Sequence, residues 1–145
     1  MVNAGRYNKL KVVRKADFGF YLDDGAEGIL LPNRFVPKNL NIGDEIEVLV
    51  YHDSEDRLIA TTQKPLGIVG DIVKLKTVST TPQGAFLDWG LMKDLFVAKS
   101  QQLTGMRTQG EYLVKIYRDE KTGRVAASEK FDSSLSNDQL TVKVL

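Results

Sequence analysis

The sequence predicts an all-β protein built from two tandem, five-stranded antiparallel barrels. Three observations carry this prediction. The chain repeats itself with an offset of 65 residues, so that Gly19-Phe20-Tyr21-Leu22-Asp23 matches Gly84-Ala85-Phe86-Leu87-Asp88. Its apolar segments are short, and several alternate with polar residues at the period of a β-strand. No segment combines the longer apolar period of a helix with capping residues.

The repeat covers five apolar segments per copy, in the same order in both copies. An offset of 65 aligns residues 10–13 with 75–78, and one residue inserted in a turn raises the offset to 66. The offset of 66 then aligns 48–53 with 114–119, and Ala60-Thr61-Thr62 with Ala126-Ala127-Ser128. Five matched segments in one order indicate a tandem duplication.

Each copy is predicted to form five short strands with one or two helical turns between the third and the fourth. The predicted strands are residues 9–15, 18–22, 29–31, 45–51 and 58–62 in the first copy, and 72–78, 85–88, 95–97, 111–117 and 125–128 in the second. Because an open sheet of this size would leave its edges unprotected, closure into a small barrel is expected. The OB-type barrel is the usual five-stranded solution.

The repeat also predicts the domain boundaries. Residues 1–64 form the first barrel, residues 65–132 form the second, and residues 133–145 form a tail. The last four residues, Val142-Lys143-Val144-Leu145, read as a strand-like run without a pairing partner. On that basis we expect the tail to lead to a C-terminal part that this sequence does not contain.

Composition narrows the class of protein. The chain has 145 residues, 42% hydrophobic and 27% charged, which is typical of a globular protein. It contains no cysteine, which excludes disulfides and thiolate metal sites and suits a reducing compartment. The apolar runs are too short to cross a bilayer, and no signal peptide is recognisable. We therefore expect a cytoplasmic protein that does not bind a membrane.

Charge is balanced overall but locally uneven. The formal net charge is +1, so no strong bulk attraction to nucleic acid is expected. Five basic residues precede the first acidic residue, Asp17; they are Arg6, Lys9, Lys11, Arg14 and Lys15. This strip either contacts phosphate or forms an ordinary solvated strand face.

The sequence offers no catalytic constellation. The single histidine, His52, follows the fourth strand, where a surface role is the ordinary expectation. Asp23-Asp24-Gly25 is first of all a turn signal. Neither a glycine-rich phosphate loop nor a metal-spaced cluster of His, Asp and Glu is present. We predict a non-catalytic protein without cofactor or metal.

Aromatic residues of the second strand of each copy are the candidate ligand contacts. OB-type barrels bind oligonucleotides on strands two and three, where aromatic rings stack on bases. Tyr21 and Phe86 are expected on the surface and Phe20 in the core, whereas for Phe18 the sequence leaves both placements open. Gly19 and Gly84 would allow the second strand to bulge or a ligand to approach closely. The only tryptophan, Trp89, is expected to pack in its turn.

These segments resemble the S1 RNA-binding domain. The resemblance rests on Gly19–Leu22, Glu27–Pro32, Gly43–Val48 and the acid and arginine Asp53 and Arg57, in that order. The turn Asp53–Thr62 followed by Pro65, together with Gly84–Leu95, is similar to the bacterial conserved virulence factor B family. That resemblance implies tandem S1-type OB barrels that bind RNA and a role in regulating virulence gene expression.

The S1 resemblance also implies binding residues. The two aromatics of the second strand fall on Phe18 and Tyr21, and in the second copy on Gln83 and Phe86. The histidine of the third strand falls on Leu31 and Val97. The arginine near the last turn falls on Arg57, and in the second copy Arg124 lies one residue further along.

Two functions compete at this stage. The first is a module that binds single-stranded RNA on the faces of strands two and three, as part of post-transcriptional or virulence-related regulation. Its predicted contacts are Phe18, Tyr21, Phe86, Arg57, Arg124, Lys11 and Arg14. The alternative is a protein-interaction module that docks on a partner of the RNA or translation machinery. Balanced charge, the acidic side chains Glu45 and Glu47, and the missing histidine fit this second function.

Overall fold

The computed structural model describes residues 2–131 and the backbone of Val142–Lys143. The chain divides into two compact units, Met1–Lys64 and Pro65–Leu145. Within the described residues the secondary structure is β apart from two 3-10 turns, and no helix is long and apolar enough to cross a membrane. The prediction of an all-β protein with two barrels in tandem is confirmed.

The first unit contains five strands and one 3-10 turn. The strands are β1 (Tyr7–Ala16), β2 (Gly19–Leu22), β3 (Ile29–Pro32), β4 (Glu45–His52) and β5 (Leu58–Thr61), and the turn is Asn33–Phe35. They form a closed barrel in the order β1-β2-β3-β5-β4. The long first strand pairs with β4 through its first half and with β2 through its second half.

The barrel closes through a parallel pair, at Leu30 of β3 and Ile59 of β5. The other four pairs are antiparallel, as predicted, and only this junction is parallel. The reason is parity: strand direction cannot alternate all the way around a ring of five strands, so one neighbouring pair must be parallel.

The second unit repeats this arrangement. Its strands are β6 (Ile72–Thr81), β7 (Gly84–Asp88), β8 (Leu95–Ala98), β9 (Glu111–Arg118), β10 (Val125–Ser128) and β11 (Val142–Lys143), with a 3-10 turn at Lys99–Gln101. The order β10-β9-β6-β7-β8 matches that of the first barrel, and Cα atoms of its two end strands approach within 8 Å.

The strand β11 corrects one expectation about the tail. We expected Val142–Lys143 to lack a pairing partner, but this segment pairs in parallel with Ile72 and Val73 of β6. This edge of β6 is available to β11 because β7 pairs with β6 only from Lys76 onward. The remainder of the predicted tail, residues 133–141 and 144–145, lies outside the described residues, as does residue 132 at the predicted end of the second barrel.

Alternate strand residues fill each barrel. In the first unit the buried cluster consists of Val12, Phe20, Leu22, Ile29, Leu31, Val48, Val50 and Ala60. The matching interior residues of the second unit are as fully buried; they include Leu87, Val97, Val114 and Ile116. Each such side chain contributes about 1.5–3 kcal/mol when it leaves water, so these layers are the main source of stability. Phe20 lies in the core, as predicted.

A bulge in the first strand of each barrel decides which residues face outward. The β1–β2 pairing shifts register between Val12 and Arg14, and the β6–β7 pairing shifts between Thr77 and Ser79. In a regular strand, residues two apart share a face. The bulge breaks that rule, so Val12 is buried and Arg14 is exposed. The sequence allowed a bulge in the second strand, but in both barrels the extra residue belongs to the first strand.

Glycine is needed at the start of the second strand because the third strand passes close to it. A Cβ at Gly19 would overlap the carbonyl oxygen of Leu31, and a Cβ at Gly84 would overlap that of Val97. Backbone of the same barrel therefore occupies the space beside these glycines, where the sequence had also allowed a ligand to approach. Trp89 is buried, and its Nε1–H donates to the carbonyl oxygen of Lys93 at 2.7 Å, as its predicted packing role requires.

Candidate nucleic-acid interface

The outer face of the first barrel carries a row of three cross-strand neighbours: Arg14 of β1, Tyr21 of β2 and Leu30 of β3. We call these three residues the first row. Directly opposed residues project on the same face of a sheet, and the bulge at Val13 turns Arg14 to this side. The guanidinium carbon of Arg14 lies 3.9 Å from the centroid of the Tyr21 ring, a cation–π contact.

The sheet continues beyond the first row to Ile59 of β5 and Tyr51 of β4. Tyr51 is buried, although it does not belong to the barrel's core cluster. Burial raises the pKa of the Tyr51 hydroxyl, and the Asp53 carboxylate adds to this rise, while the Arg34 guanidinium opposes it.

Phe18 lies in the turn before β2 and is 59% exposed. Its carbonyl oxygen accepts the backbone N–H of Asn33 at 2.9 Å, and the Asn33 Nδ2–H donates to the carbonyl oxygen of Asp17 at 2.8 Å. These two bonds hold the turn while leaving the ring in solvent. The structure therefore decides the open question about Phe18 in favour of the surface.

The second barrel carries an equivalent row of different chemistry: Ser79, Phe86 and Phe96. We call these three residues the second row. The rings of Phe86 and Phe96 lie 5.1 Å apart at an interplanar angle of 47°. Both side chains are half-buried, and serine replaces the arginine of the first row. Phe86 lies on the outer face, as predicted.

Sequence reasoning missed Phe96. The signal that finds it is the hairpin register, because Phe96 is the residue directly opposite Phe86. We placed the family's third-strand histidine at Leu31 and Val97, but both side chains are fully buried inside their barrels. The outward positions of the third strands are instead Leu30 and Phe96.

Arg57 and Arg124 turn out to be equivalent residues. The Asp53 N–H donates to the Arg57 carbonyl oxygen, and the Asp119 N–H donates to that of Arg124, each at 2.8 Å. Ala60 pairs with Val50, and Ala127 pairs with Ile116, so the last strands align with an offset of 67. Our alignment of Ala60 with Ala126 was wrong because the second copy has one more residue in this turn.

The Arg57 guanidinium is engaged within its own turn. Its Nη2 lies 3.1 Å from Asp53 Oδ2 and 2.6 Å from Glu55 Oε2. Slight burial acts to raise the pKa of Asp53, but backbone N–H donors and the Arg57 guanidinium outweigh it, so the net pKa is lowered. Two carboxylates beside Arg57 make it a weaker candidate for phosphate than Arg14, which stacks on an aromatic ring.

Lys11 lies apart from the first row. It pairs with Glu45 across β1 and β4, next to the pair of Lys9 with Glu47. This side of the barrel therefore presents alternating positive and negative residues. Of the seven predicted contacts, the structure brings Arg14 and Tyr21 together, with Phe18 exposed in the turn before β2, and it places Lys11 elsewhere.

The two aspartates that could have formed a carboxylate pair have a structural role. Asp23 Oδ1 accepts the N–H of Gly25, and Asp24 Oδ1 accepts those of Ala26 and Gly28, so both carboxylates build the predicted turn. His52 is the last residue of β4, opposite Leu58. Within the part of the chain that the structure describes, no three His, Asp or Glu side chains group as metal ligands would.

OB-type barrels bind oligonucleotides on the face of strands two and three, and comparison with known proteins finds a likeness for the first barrel. Residues 4–63 match the S1 domain family. The S1 match spans β1 to β5 and so includes the whole first row. The second barrel has the same strand order as the matched one.

Two further likenesses extend over more of the chain. The uncharacterized protein YitL of Bacillus subtilis is 35% identical over 95 residues, which is 65% of this chain and 32% of YitL. A crystal structure of a multidomain protein with nucleic acid binding domains from Streptococcus pneumoniae superposes with a TM-score of 0.76 at 15% identity. The superposition covers 90% of this chain and 47% of the S. pneumoniae chain, and it shows that the two share a fold. The chain thus spans about a third of one relative and half of the other.

Proposed function

We propose that the chain is a non-catalytic module that binds single-stranded RNA through the first and second rows. The observation that carries this proposal is the Arg14–Tyr21 contact on the outer face of the S1 domain. An aromatic ring beside a cation suits a base and its phosphate, and stacking is worth about 1–3 kcal/mol per base without any sequence code. The likeness to the S. pneumoniae protein, which is described as having nucleic acid binding domains, supports the same class.

The wider role that we propose is cytoplasmic, in post-transcriptional or virulence-related regulation, as the conserved virulence factor B resemblance implies. The alternative, docking on a protein of the RNA or translation machinery, is favoured by one observation. Lys9 with Glu47 and Lys11 with Glu45 give the β1–β4 side both signs of charge, a pattern better suited to a protein than to a polyanion.

Titration of a fluorescent single-stranded RNA at two salt concentrations tests the proposed function. About three phosphate contacts would lower the affinity roughly 20-fold between 50 and 200 mM salt, since the slope is about 0.7 per contact on single strands. An RNA affinity that does not change with salt, or no binding at millimolar protein, would contradict the proposal and favour the protein-interaction module.

Arg14 is expected to act as a stacking surface as well as a charge. Its guanidinium covers one face of the Tyr21 ring, so a base that stacks there meets the guanidinium plane first. Arg14→Lys keeps the charge but loses the plane, and we expect an affinity about tenfold lower with the salt slope unchanged. Arg14→Ala should lower both the affinity and the slope.

The matched control for this pair is Lys9→Ala, which removes a positive charge from the β1–β4 side, away from the first row. We expect it to bind RNA nearly as well as the parent chain. If Arg14→Lys binds like the parent while Arg14→Ala does not, Arg14 acts only as a point charge and the stacking role is wrong.

A further inference from the structure

The first half of β1 has an open edge. Residues Tyr7 to Lys11 pair with β4 on one side, but β2 pairs with β1 only from Val12 onward. Backbone groups of an antiparallel strand point alternately to its two sides. Val12 bonds toward β4, through Gly43 and Asp44, while the Lys11 carbonyl oxygen accepts Asp23 N–H on the β2 side.

That alternation sends the backbone groups of Tyr7 and Lys9 toward the open edge. No described strand pairs with them on that side. Tyr7 is 41% exposed and Lys9 is exposed as well. An unpaired edge of this kind is a ready template for another strand unless something covers it.

The second barrel shows what covers the same edge. Ile72 and Val73 of β6 pair in parallel with Val142 and Lys143 of β11. Ile72 pairs with Lys115 on its other side, as Tyr7 pairs with Leu49, so Ile72 and Tyr7 hold equivalent positions at the offset of 65. The two barrels thus have equivalent edges: on β6 the edge is paired with β11, and on β1 no described strand pairs with it.

An open cavity of about 210 Å³ lies beside the open edge of the first barrel. It is lined by Val2, Leu10, Asp23, Asp24 and Gly25. Leu10 and Val2 provide apolar surface, and the two aspartates place negative charge at the rim. The cavity and its rim therefore suit a strand that carries aliphatic and basic side chains.

We propose that the edge Tyr7–Lys9 is a docking site for an extended strand of a partner protein, which pairs in parallel with β1. The backbone of Tyr7 and Lys9 supplies the hydrogen bonds, while the cavity takes an aliphatic side chain and the aspartates attract a basic one. This site is independent of the first row, so it holds whether or not the rows bind RNA.

The probe is the peptide Leu-Thr-Val-Lys-Val-Leu, the sequence of residues 140–145, added to the full chain. Amide hydrogen exchange at Tyr7 and Lys9 should be fast in the free chain and at least about tenfold slower at saturating peptide. Two further peptides are methylated on the two alternate sets of backbone nitrogens. The bound strand pairs through one edge only, so one of these peptides should bind like the unmethylated peptide and the other should not.

Three results would overturn the proposal. One is unchanged exchange at Tyr7 and Lys9 in millimolar peptide. Another is slower amide exchange at Ile72 and Lys74 alone, which would mean that the peptide only replaces β11. The third is concentration-dependent protection of Tyr7 and Lys9 without peptide, which would make this edge an interface between two copies of the chain.

Discussion

Replacing Gly84 by alanine is expected to destabilise the second unit by about 3 kcal/mol or more, at the upper end of what overpacking costs. A Cβ there overlaps the Val97 carbonyl oxygen and lies 2.7 Å from Cζ of Phe96. The oxygen belongs to the β7–β8 ladder, so relief requires the two strands to separate. Trp89, the only tryptophan, is buried in this unit, so its fluorescence in urea reports the unfolding.

Gly105→Ala is the matched control. A Cβ at Gly105 meets no heavy atom within 4 Å, so the same substitution should change the free energy of unfolding by less than about 0.5 kcal/mol. Equal urea midpoints for the Gly84 variant and the parent chain would show that β8 does not pass this close to β7.

The double variant Phe18→Ala, Tyr21→Ala is expected to bind single-stranded RNA at least about 30-fold more weakly than the parent. Loss of the base stacked on Phe18, and of the ring that supports the stacking surface of Arg14, at about 1 kcal/mol each, corresponds to this factor. Phe18 is exposed and Tyr21 only half-buried, so the barrel should stay folded, which a urea titration of the same variant checks.

Tyr7→Ala is the aromatic control for this experiment. Tyr7 is exposed on the same strand as Arg14 but pairs with Leu49, away from the first row, so its loss should leave the RNA affinity unchanged. Unchanged affinity in the double variant, with its fold intact, would remove Phe18 and Tyr21 from the proposed site.

Local pattern was enough to predict the strands and their duplication. Alternation over Glu45–Val50 and the matched segments around Gly19 and Gly84 are properties of neighbouring residues, and the structure has all ten barrel strands in those segments. The outward position of Tyr21 and Phe86 follows from the same alternation. In each copy the second strand is regular, so that its period can be read from the sequence.

The rest depends on how strands meet, which local pattern does not specify. The bulge at Val13 turns Arg14 onto the ring of Tyr21, and nothing in the residues of β1 alone marks that position. Phe96 and the equivalence of Arg57 with Arg124 emerge only from the register of paired strands. The pairing of Val142–Lys143 joins segments far apart in the chain.

Mapping of the RNA-binding surface by amide chemical shifts tests the central claim most directly. The chain of 16.2 kDa suits two-dimensional spectra during titration with a short single-stranded RNA. We expect the largest shifts on Arg14, Tyr21 and Leu30, and on Phe86 and Phe96 in the second barrel. Shifts confined to the β1–β4 side around Lys9 and Glu47, or no shifts at all, would contradict the proposed interface.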